Sequence, residues 1–105
     1  MVYLTGSKKN ETLDTILHQP VRTRLVAFLA ARGEATFKEL KELLQVTDGN
    51  LDAHMRKLQA VKYIVSRKEM IDRRNQTFYR LTDIGHKKFK EYVLLLQHIF
   101  STENH

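Results

Sequence analysis

The segment from Thr47 to Ala60 constrains the fold of this chain most strongly, because its apolar side chains fit only one narrow stripe of a helix. Leu51, Met55 and Leu58 are spaced four and three residues apart, so a helix places them on one face, which must be buried. The other faces carry polar, cationic and small residues, namely Asn50, Ala53, His54, Arg56 and Lys57.

Such a helix has two interpretations. Helix-turn-helix proteins insert a helix of this kind into the major groove of DNA, where its outer side chains contact base edges. An ordinary amphipathic helix has the same pattern and only exposes its polar face to water. The flanking segments favour the first interpretation, which predicts a recognition helix over about residues 48–61.

The composition limits the remaining possibilities. With 105 residues the chain is long enough for one domain and too short for two of ordinary size. It has no cysteine, which excludes disulfides, thiolate metal sites and a cysteine nucleophile. No segment approaches the ~20 apolar residues that span a bilayer, and the N-terminus lacks the apolar run of a signal peptide. We therefore expect a cytoplasmic protein without membrane association.

Positive charge is concentrated in one third of the chain. The sequence has 18 basic and 12 acidic residues, a formal net charge of +6. Eight basic and four acidic residues fall between Thr47 and Arg80. A basic surface of this kind is typical of proteins that face phosphate groups, although proteins that bind no nucleic acid also have mild positive charge.

The first third of the chain predicts an arm and two helices. Residues 1–11 have no apolar period and predict an irregular arm. Asn10 or Thr12 is suited to cap a short helix whose apolar edge is Leu13, Ile16 and Leu17.

Pro20 suits the first turn of the next helix, and Gly33 is suited to end it in a left-handed conformation. The apolar stripe of this helix is Val21, Leu25, Phe28 and Leu29. Three residues lie off the stripe and are predicted to be solvated: Arg22, Thr23 and Arg24.

A third helix follows a short extended link from Glu34 to Thr36. Thr36 and Glu39 match a capping box, in which each side chain accepts a hydrogen bond from the other residue's backbone N–H. The apolar positions of this helix are Phe37, Leu40, Leu43 and Leu44.

Only a few residues separate this helix from the recognition helix, which is the spacing of a helix-turn-helix, and Thr47 or Asp48 is suited to cap the second helix. Gly49 falls in the first turn, where glycine costs up to ~1 kcal/mol relative to alanine. Two explanations stay open: Gly49 lets a phosphate approach the helix end closely, or it only tolerates a crowded turn.

After Ala60 the pattern becomes that of strands. Tyr63 to Val65 and Thr77 to Thr82 are rich in strand-forming residues, and Tyr79 and Leu81 share the predicted inner face. The intervening charged tip predicts a two-stranded wing over about residues 67–77. It can contact phosphates or enter the minor groove, or it is polar only for solubility. The tip residues are Arg73, Arg74, Asn75 and Gln76.

The last helix is predicted to begin at a cap, Thr82 or Asp83, and to run toward Phe100. Its apolar band is wider than one packing face. A second subunit would cover such a band, and a symmetric dimer would place two recognition helices about one DNA turn apart. The alternative is that the helix folds back onto its own domain. The predicted dimer interface is Leu13, Ile16, Leu17, Phe89, Tyr92, Val93, Leu96, Ile99 and Phe100.

Catalytic chemistry has no convincing candidate in this sequence. None of the five histidines is paired at the i, i+4 spacing of a helical zinc site, and no glycine-rich phosphate loop is present. Asp48 and Asp52 lie one helical turn apart, on a predicted solvent face rather than in a pocket. We therefore expect no enzyme activity, no metal and no cofactor.

Two motifs carry a family resemblance. They are the asparagine, leucine, two residues and histidine of Asn50, Leu51 and His54, and the leucine, threonine, two residues and glycine of Leu81, Thr82 and Gly85. With the order helix, helix, helix, wing, helix, the chain from about Leu13 to Tyr92 resembles winged-helix transcriptional regulators of the MarR/ArsR-like group.

The resemblance implies a dimeric DNA-binding repressor or activator with Asn50, Ala53, His54 and Lys57 on the groove side. Two residues depart from the family pattern. Lys62 stands where glycine is common before the aromatic residue, and Asp52 stands where serine is frequent. A carboxylate at position 52 repels phosphate unless Arg56 or another base pairs with it.

The expected fold is therefore an α+β winged helix at residues 12–82, extended by N- and C-terminal helices, with the latter (83–105) forming the dimer. Its partners are double-stranded DNA and a second copy of the chain; no motif supports a small-molecule effector. The alternative is a winged-helix protein-interaction module that binds no DNA. The predicted DNA-binding residues are Thr47, Asp48, Gly49, Asn50, Ala53, His54, Arg56, Lys57, Arg73, Arg74, Asn75 and Gln76.

Overall fold

The structure of the chain is a computed structural model that describes residues 12–103. The predicted arm, residues 1–11, lies outside this range, as do residues 104 and 105. Four helices and three strands follow in the order α1 (Pro20–Arg32), β1 (Ala35–Thr36), α2 (Phe37–Leu44), α3 (Asp48–Ala60), β2 (Ile64–Ile71), β3 (Arg74–Leu81) and α4 (Asp83–Glu103). This confirms the α+β winged-helix class. Within residues 12–103 no helix is both long and apolar enough to cross a membrane.

The helix ends follow the local signals in the sequence. Pro20 begins α1, and Gly33 ends it with a φ of 97°, a left-handed conformation that glycine adopts easily. The Thr36 hydroxyl accepts from the Glu39 N–H at 3.1 Å, and the Glu39 carboxylate accepts from the Thr36 N–H at 2.8 Å, so the predicted capping box is confirmed. The bond from the Thr36 N–H, followed by the one from Arg32, lowers the pKa of Glu39.

The predicted short helix before α1 is wrong. Residues 12–19 form turns, because the Asp14 carboxylate accepts the N–H groups of Ile16 at 2.8 Å and Leu17 at 3.2 Å. An aspartate that bonds to the backbone two and three residues ahead stabilises a turn that competes with a helix. Leu17 is nevertheless fully buried.

The sheet has three antiparallel strands in the order β1-β3-β2. The two-residue β1 places Ala35 opposite Tyr79 and Thr36 opposite Phe78. The sequence indicated an extended link at this point but not a third strand, because two residues carry no alternating pattern. β1 ties the base of the wing to the start of α2.

One core lies between the helices and the sheet. The stripe of α3 is buried as predicted, with Leu51 and Leu58 at 0% exposure and Met55 at 2%. Tyr79 and Leu81 of β3 are also buried, which confirms the predicted inner face. The fully buried residues from the remaining elements include Leu17, Leu25, Val26, Leu29 and Leu40.

A junction of backbone contacts joins the end of α3, the root of the wing and the start of α4. Lys62 has a φ of 65°, which explains why glycine suits this position. The Thr82 N–H donates to the Tyr63 carbonyl at 3.0 Å, and the Thr82 hydroxyl donates to the Lys62 carbonyl at 2.5 Å and accepts from the Gly85 N–H at 3.0 Å. A Cβ atom on Gly85 would lie 2.1 Å from the Tyr63 carbonyl oxygen. The leucine-threonine-glycine motif therefore has a structural basis.

Candidate nucleic-acid interface

The outer face of α3 is open along its length. Asn50, Ala53 and Lys57 are exposed, opposite the buried stripe. The Thr47 hydroxyl caps the helix by accepting from the Asn50 N–H at 3.1 Å. Apart from the chain neighbours of Gly49 and the backbone of its own helix, no atom of residues 12–103 lies within 4 Å of the position that a Cβ on Gly49 would occupy, so no other element crowds this turn.

Both carboxylates on α3 have cationic partners. The Asp48 carboxylate lies 2.8 Å from the Lys41 ammonium of α2, and the Asp52 carboxylate lies 2.8 Å from the Arg56 guanidinium one turn later. Asp52 therefore has the basic partner that keeps a carboxylate at this position from repelling phosphate. Arg56 is engaged in this pair, whereas no ion pair of Lys57 is found in the range 12–103.

His54 is half-buried, unlike its exposed neighbours on this face. Its Nδ1 atom lies 3.0 Å from a terminal nitrogen of the Arg22 guanidinium. Burial lowers the pKa of His54, and the positive charges of Arg22 and Lys57 lower it further.

The predicted solvation of Arg22 is wrong. Its side chain is only 8% exposed and reaches across from α1, donating from Nε to the Ile16 carbonyl at 2.6 Å as well as contacting His54. Thr23 is half-buried, and its hydroxyl contacts the Leu17 carbonyl as well as the Gln19 carbonyl, the latter at 3.0 Å. The stripe of α1 alone does not reveal the role of Arg22, because its imidazole partner lies 32 residues away.

The wing tip is shorter than predicted. Asp72 and Arg73 form a two-residue connection with φ values of 51° and 67°, the sign that type I′ hairpin turns require at both central positions. Strand pairing resumes directly after this two-residue turn, with Ile71 opposite Arg74. The other predicted tip residues therefore belong to β3. Arg74, Asn75 and Gln76 pair with Ile71, Met70 and Glu69, respectively.

The cations of the wing differ in their surroundings. Arg67 contacts both carboxylate oxygens of Glu34 at 3.0 and 3.1 Å, pairs with Glu69, and lies 4.4 Å from the centre of the Phe78 ring. These carboxylates raise the pKa of Arg67, so its charge is already compensated. Arg73 and Arg74 are exposed and have no ion pair within the part of the chain that the structure describes.

The apolar band of α4 is only partly covered. Tyr92 is buried and Phe89 packs against the core, whereas Leu94 is 53% exposed and Phe100 is 59% exposed. Leu17 and Tyr92, both predicted at the dimer interface, are covered by the protomer's own core. The other predicted interface residues that contact this core are half-buried: Leu13, Ile16, Phe89, Val93 and Leu96.

Between residues 12 and 103, no group of three or more histidine or carboxylate side chains is arranged to hold a metal ion.

A cavity of about 510 Å³ lies between the N-terminal turn and α4. Its lining mixes charged and apolar side chains, among them Asp14, Lys88, Glu91 and Leu95.

Comparison with known proteins identifies the family. Residues 21–100 match the family model described as a winged helix DNA-binding domain. The chain belongs to this family. The match spans α1 to α4 and confirms the resemblance to winged-helix transcriptional regulators, and with it DNA binding as the general function of the fold.

Individual proteins are similar to this chain in sequence or in fold. An uncharacterized protein of Methanocaldococcus jannaschii is 35% identical over 78 residues, which are 74% of this chain and 85% of that protein. The structure of a transcriptional regulator homologue from Pyrococcus horikoshii OT3 superimposes with a TM-score of 0.85 at 29% identity, covering 96% of this chain and all of the other. YusO from Bacillus subtilis shares the fold, with a TM-score of 0.74 at 22% identity over 92% of this chain and 64% of YusO.

Proposed function

We propose that this protein is a homodimeric regulator of transcription that binds double-stranded DNA sequence-specifically. In this proposal α3 enters the major groove and the β2–β3 wing contacts the backbone or the minor groove. The observation that carries it is the division of α3 into a fully buried apolar stripe and an exposed polar face. The apolar stripe packs within the protomer, and the polar face remains available to a ligand.

The exposed side chains of α3 suit base edges. Asn50 has an amide that can both donate and accept, which is the chemistry that reads adenine, and Lys57 can donate to guanine acceptors. Ala53 between them leaves room for a base or a thymine methyl group. Asp48 and Asp52 do not oppose this docking, since Lys41 and Arg56 neutralise their charges.

The wing supplies contacts of another kind. Arg73 and Arg74 lie at the end of the hairpin with no acidic partner among residues 12–103, so their charges are available to phosphates. Contacts to phosphates hold a protein on the duplex but do not distinguish sequences. Arg67 is not expected to contribute, because Glu34 and Glu69 already hold its guanidinium.

Dimerisation is proposed to use the uncovered side of α4. Leu94 and Phe100 expose large apolar surfaces on this helix, and a second copy of the chain would remove them from water. A twofold-symmetric pair would present two α3 helices to two half-sites of a palindromic site.

Selection of bound duplexes from a random DNA pool tests the proposal. We expect enrichment of a twofold-symmetric sequence whose affinity exceeds that for random duplex by about a thousandfold or more. The same protein should bind random duplex weakly at low salt, with an affinity that falls as salt rises. Enrichment of no sequence, together with no binding of random duplex at low salt, would favour the protein-interaction alternative.

Substitutions separate the two kinds of contact. Asn50→Ala should weaken binding to the selected site by about 1–3 kcal/mol and leave random-duplex affinity unchanged. Combined Arg73→Ala and Arg74→Ala should weaken both and reduce the salt dependence. Lys90→Ala, which removes an exposed cation from α4, is the matched charge control. Equal losses on both duplexes from Asn50→Ala contradict the assigned division.

A further inference from the structure

The contact between Arg22 and His54 defines the chemical state of a side chain on the proposed recognition helix. The two groups come from α1 and α3, and the guanidinium nitrogen lies 3.0 Å from Nδ1 of the imidazole. Arg22 is held in place by its second bond, from Nε to the Ile16 carbonyl at 2.6 Å. The guanidinium thus reaches His54 from a fixed, nearly buried position.

This contact allows only one form of the imidazole. A guanidinium has donors and no acceptor, so Nδ1 must accept and cannot carry a proton. In a neutral histidine the single ring proton then lies on Nε2. Protonation of Nδ1 would bring two N–H groups together and place a new positive charge beside Arg22 and Lys57, the cations that face the ring from α1 and α3.

The Nε2 atom of His54 is not fully buried. It makes no hydrogen bond to any residue in the range 12–103, and no side-chain nitrogen or oxygen buried in that range lacks a partner. Because Nε2 has no such partner, this atom keeps some contact with solvent. The His54 ring is held on one side and offers an N–H on the other.

We propose that Arg22 is a positioning residue that fixes His54 as the neutral Nε2–H tautomer, so that α3 presents one oriented donor to an acceptor on a base edge. This proposal rests on the proposed docking of α3 in the major groove. The acceptors available there are N7 and O6 of guanine, N7 of adenine and O4 of thymine, whereas the amino group of cytosine is excluded. The lowered pKa of His54 agrees with the neutral form.

Nitrogen-15 NMR of the imidazole rings in the free, wild-type protein tests the tautomer directly. We expect one pyridine-type signal for Nδ1 and one pyrrole-type signal for Nε2 of His54 at pH 7, with protonation only below its ordinary pKa. The ring of His86, which is exposed on α4, gives a reference signal in the same spectrum. An Nδ1–H tautomer, or titration of His54 at or above its ordinary pKa, would overturn the proposal whatever the DNA result.

Replacement of Arg22 tests the cause. In Arg22→Met we expect the tautomer preference to weaken and the pKa of His54 to rise toward its ordinary value. Thermal unfolding monitors whether the variant still folds. If it folds and the tautomer and pKa are unchanged, Arg22 does not position the ring. Arg24→Met, which removes an exposed arginine of the same helix, is the control and should leave the His54 signals unchanged. The wild-type spectrum decides the tautomer independently of both variants.

A pair of substitutions tests recognition on the selected duplex and on random duplex. The amide nitrogen of glutamine can reach the Nε2 position, whereas asparagine is too short and reaches only the Nδ1 position. We expect His54→Gln to retain affinity for the selected site within about threefold and His54→Asn to lose about tenfold, with random-duplex affinity unchanged in both.

The outcomes distinguish the two proposals. Equal losses on selected and random duplex would indicate a phosphate contact and overturn the base-edge assignment. Equal affinities of the two variants for the selected site would remove Nε2 from recognition. If no sequence is selected at all, the proposed function fails, while the wild-type NMR spectrum still decides the tautomer.

Discussion

Helices α3 and α4 are both amphipathic, but they differ in how much of their apolar surface the protomer covers. The three large apolar residues of α3 are buried, and its outer side chains are polar apart from small residues such as Ala53. On α4, Tyr92 is buried while Leu94 and Phe100 stay more than half exposed. The width of the apolar band accounts for the difference, since a single packing face cannot cover the band of α4.

This difference indicates two kinds of partner for one small domain. A polar, partly cationic face without large apolar side chains suits a hydrated ligand such as a DNA groove. An exposed apolar face suits a second protein surface. The following substitutions compare the two helices, in order of decreasing expected effect on stability.

The largest contrast is between two leucine truncations. Leu51→Ala on α3 should lower the free energy of unfolding by about 2–5 kcal/mol, because it leaves a cavity in the core. Leu94→Ala on α4 should change the stability of the protomer by less than about 0.5 kcal/mol. Denaturant titration measures both. Leu94→Ala should also reduce the concentration dependence of the Tm if α4 forms a dimer; a large loss of protomer stability would show that Leu94 belongs to the core.

The second contrast concerns a glycine in the first turn of each helix. Gly85→Ala should lower the free energy of unfolding by about 1–3 kcal/mol, since the new methyl group meets the Tyr63 carbonyl. Gly49→Ala should raise it by up to ~1 kcal/mol, because the site is open and alanine favours a helix. Thermal and denaturant unfolding compare the two. Similar losses in both variants would show that the two helix starts are packed alike.

A third pair tests the junction between the helices. Lys62→Gly should raise the free energy of unfolding by about 0.5–1 kcal/mol, because glycine adopts the positive φ of this position without steric cost. Lys57→Gly, inside α3, should lower it by about the same amount. Destabilisation by Lys62→Gly would mean that packing of the lysine side chain outweighs the backbone conformation.

The smallest expected effect is a pH dependence of stability that comes from His54 on α3. The pKa of His54 is below its ordinary value of 6.5, so the unfolded chain binds more protons between the folded and unfolded pKa values. Stability from this group is fully present above about pH 6.5 and is lost as the pH falls. Denaturant titrations from pH 8 to 5 should show a smaller loss in His54→Gln than in wild type; identical slopes would exclude this contribution.

Much of the fold follows from local sequence signals. Pro20, Gly33 and the capping box set helix ends, and the spacing of Leu51, Met55 and Leu58 identifies the buried face of α3, because each signal acts within a few residues. The two-residue β1 and the turn at Asp14 could not be predicted in this way. A strand that short has no period, and an aspartate side chain competes locally with the helix that its apolar neighbours favour.

The sequence predicts which side chains of the candidate site are exposed, but it does not predict the contacts between them. Exposure of Asn50, Ala53 and Lys57 follows from helical geometry. The buried state of Arg22 does not, because it depends on His54 in a distant part of the chain. The predicted wing tip is too long because the sequence lacks the usual signal for a two-residue hairpin. Neither residue of the turn, Asp72 or Arg73, is glycine or asparagine.

The Thr82 side chain and backbone hold three groups at once: the Lys62 carbonyl, the Tyr63 carbonyl and the Gly85 N–H. Tilting α4 at its first turn would therefore pull on the chain that enters β2. A change in the orientation of α4 would therefore also act on the base of the β2–β3 hairpin, because Thr82 is bonded to both.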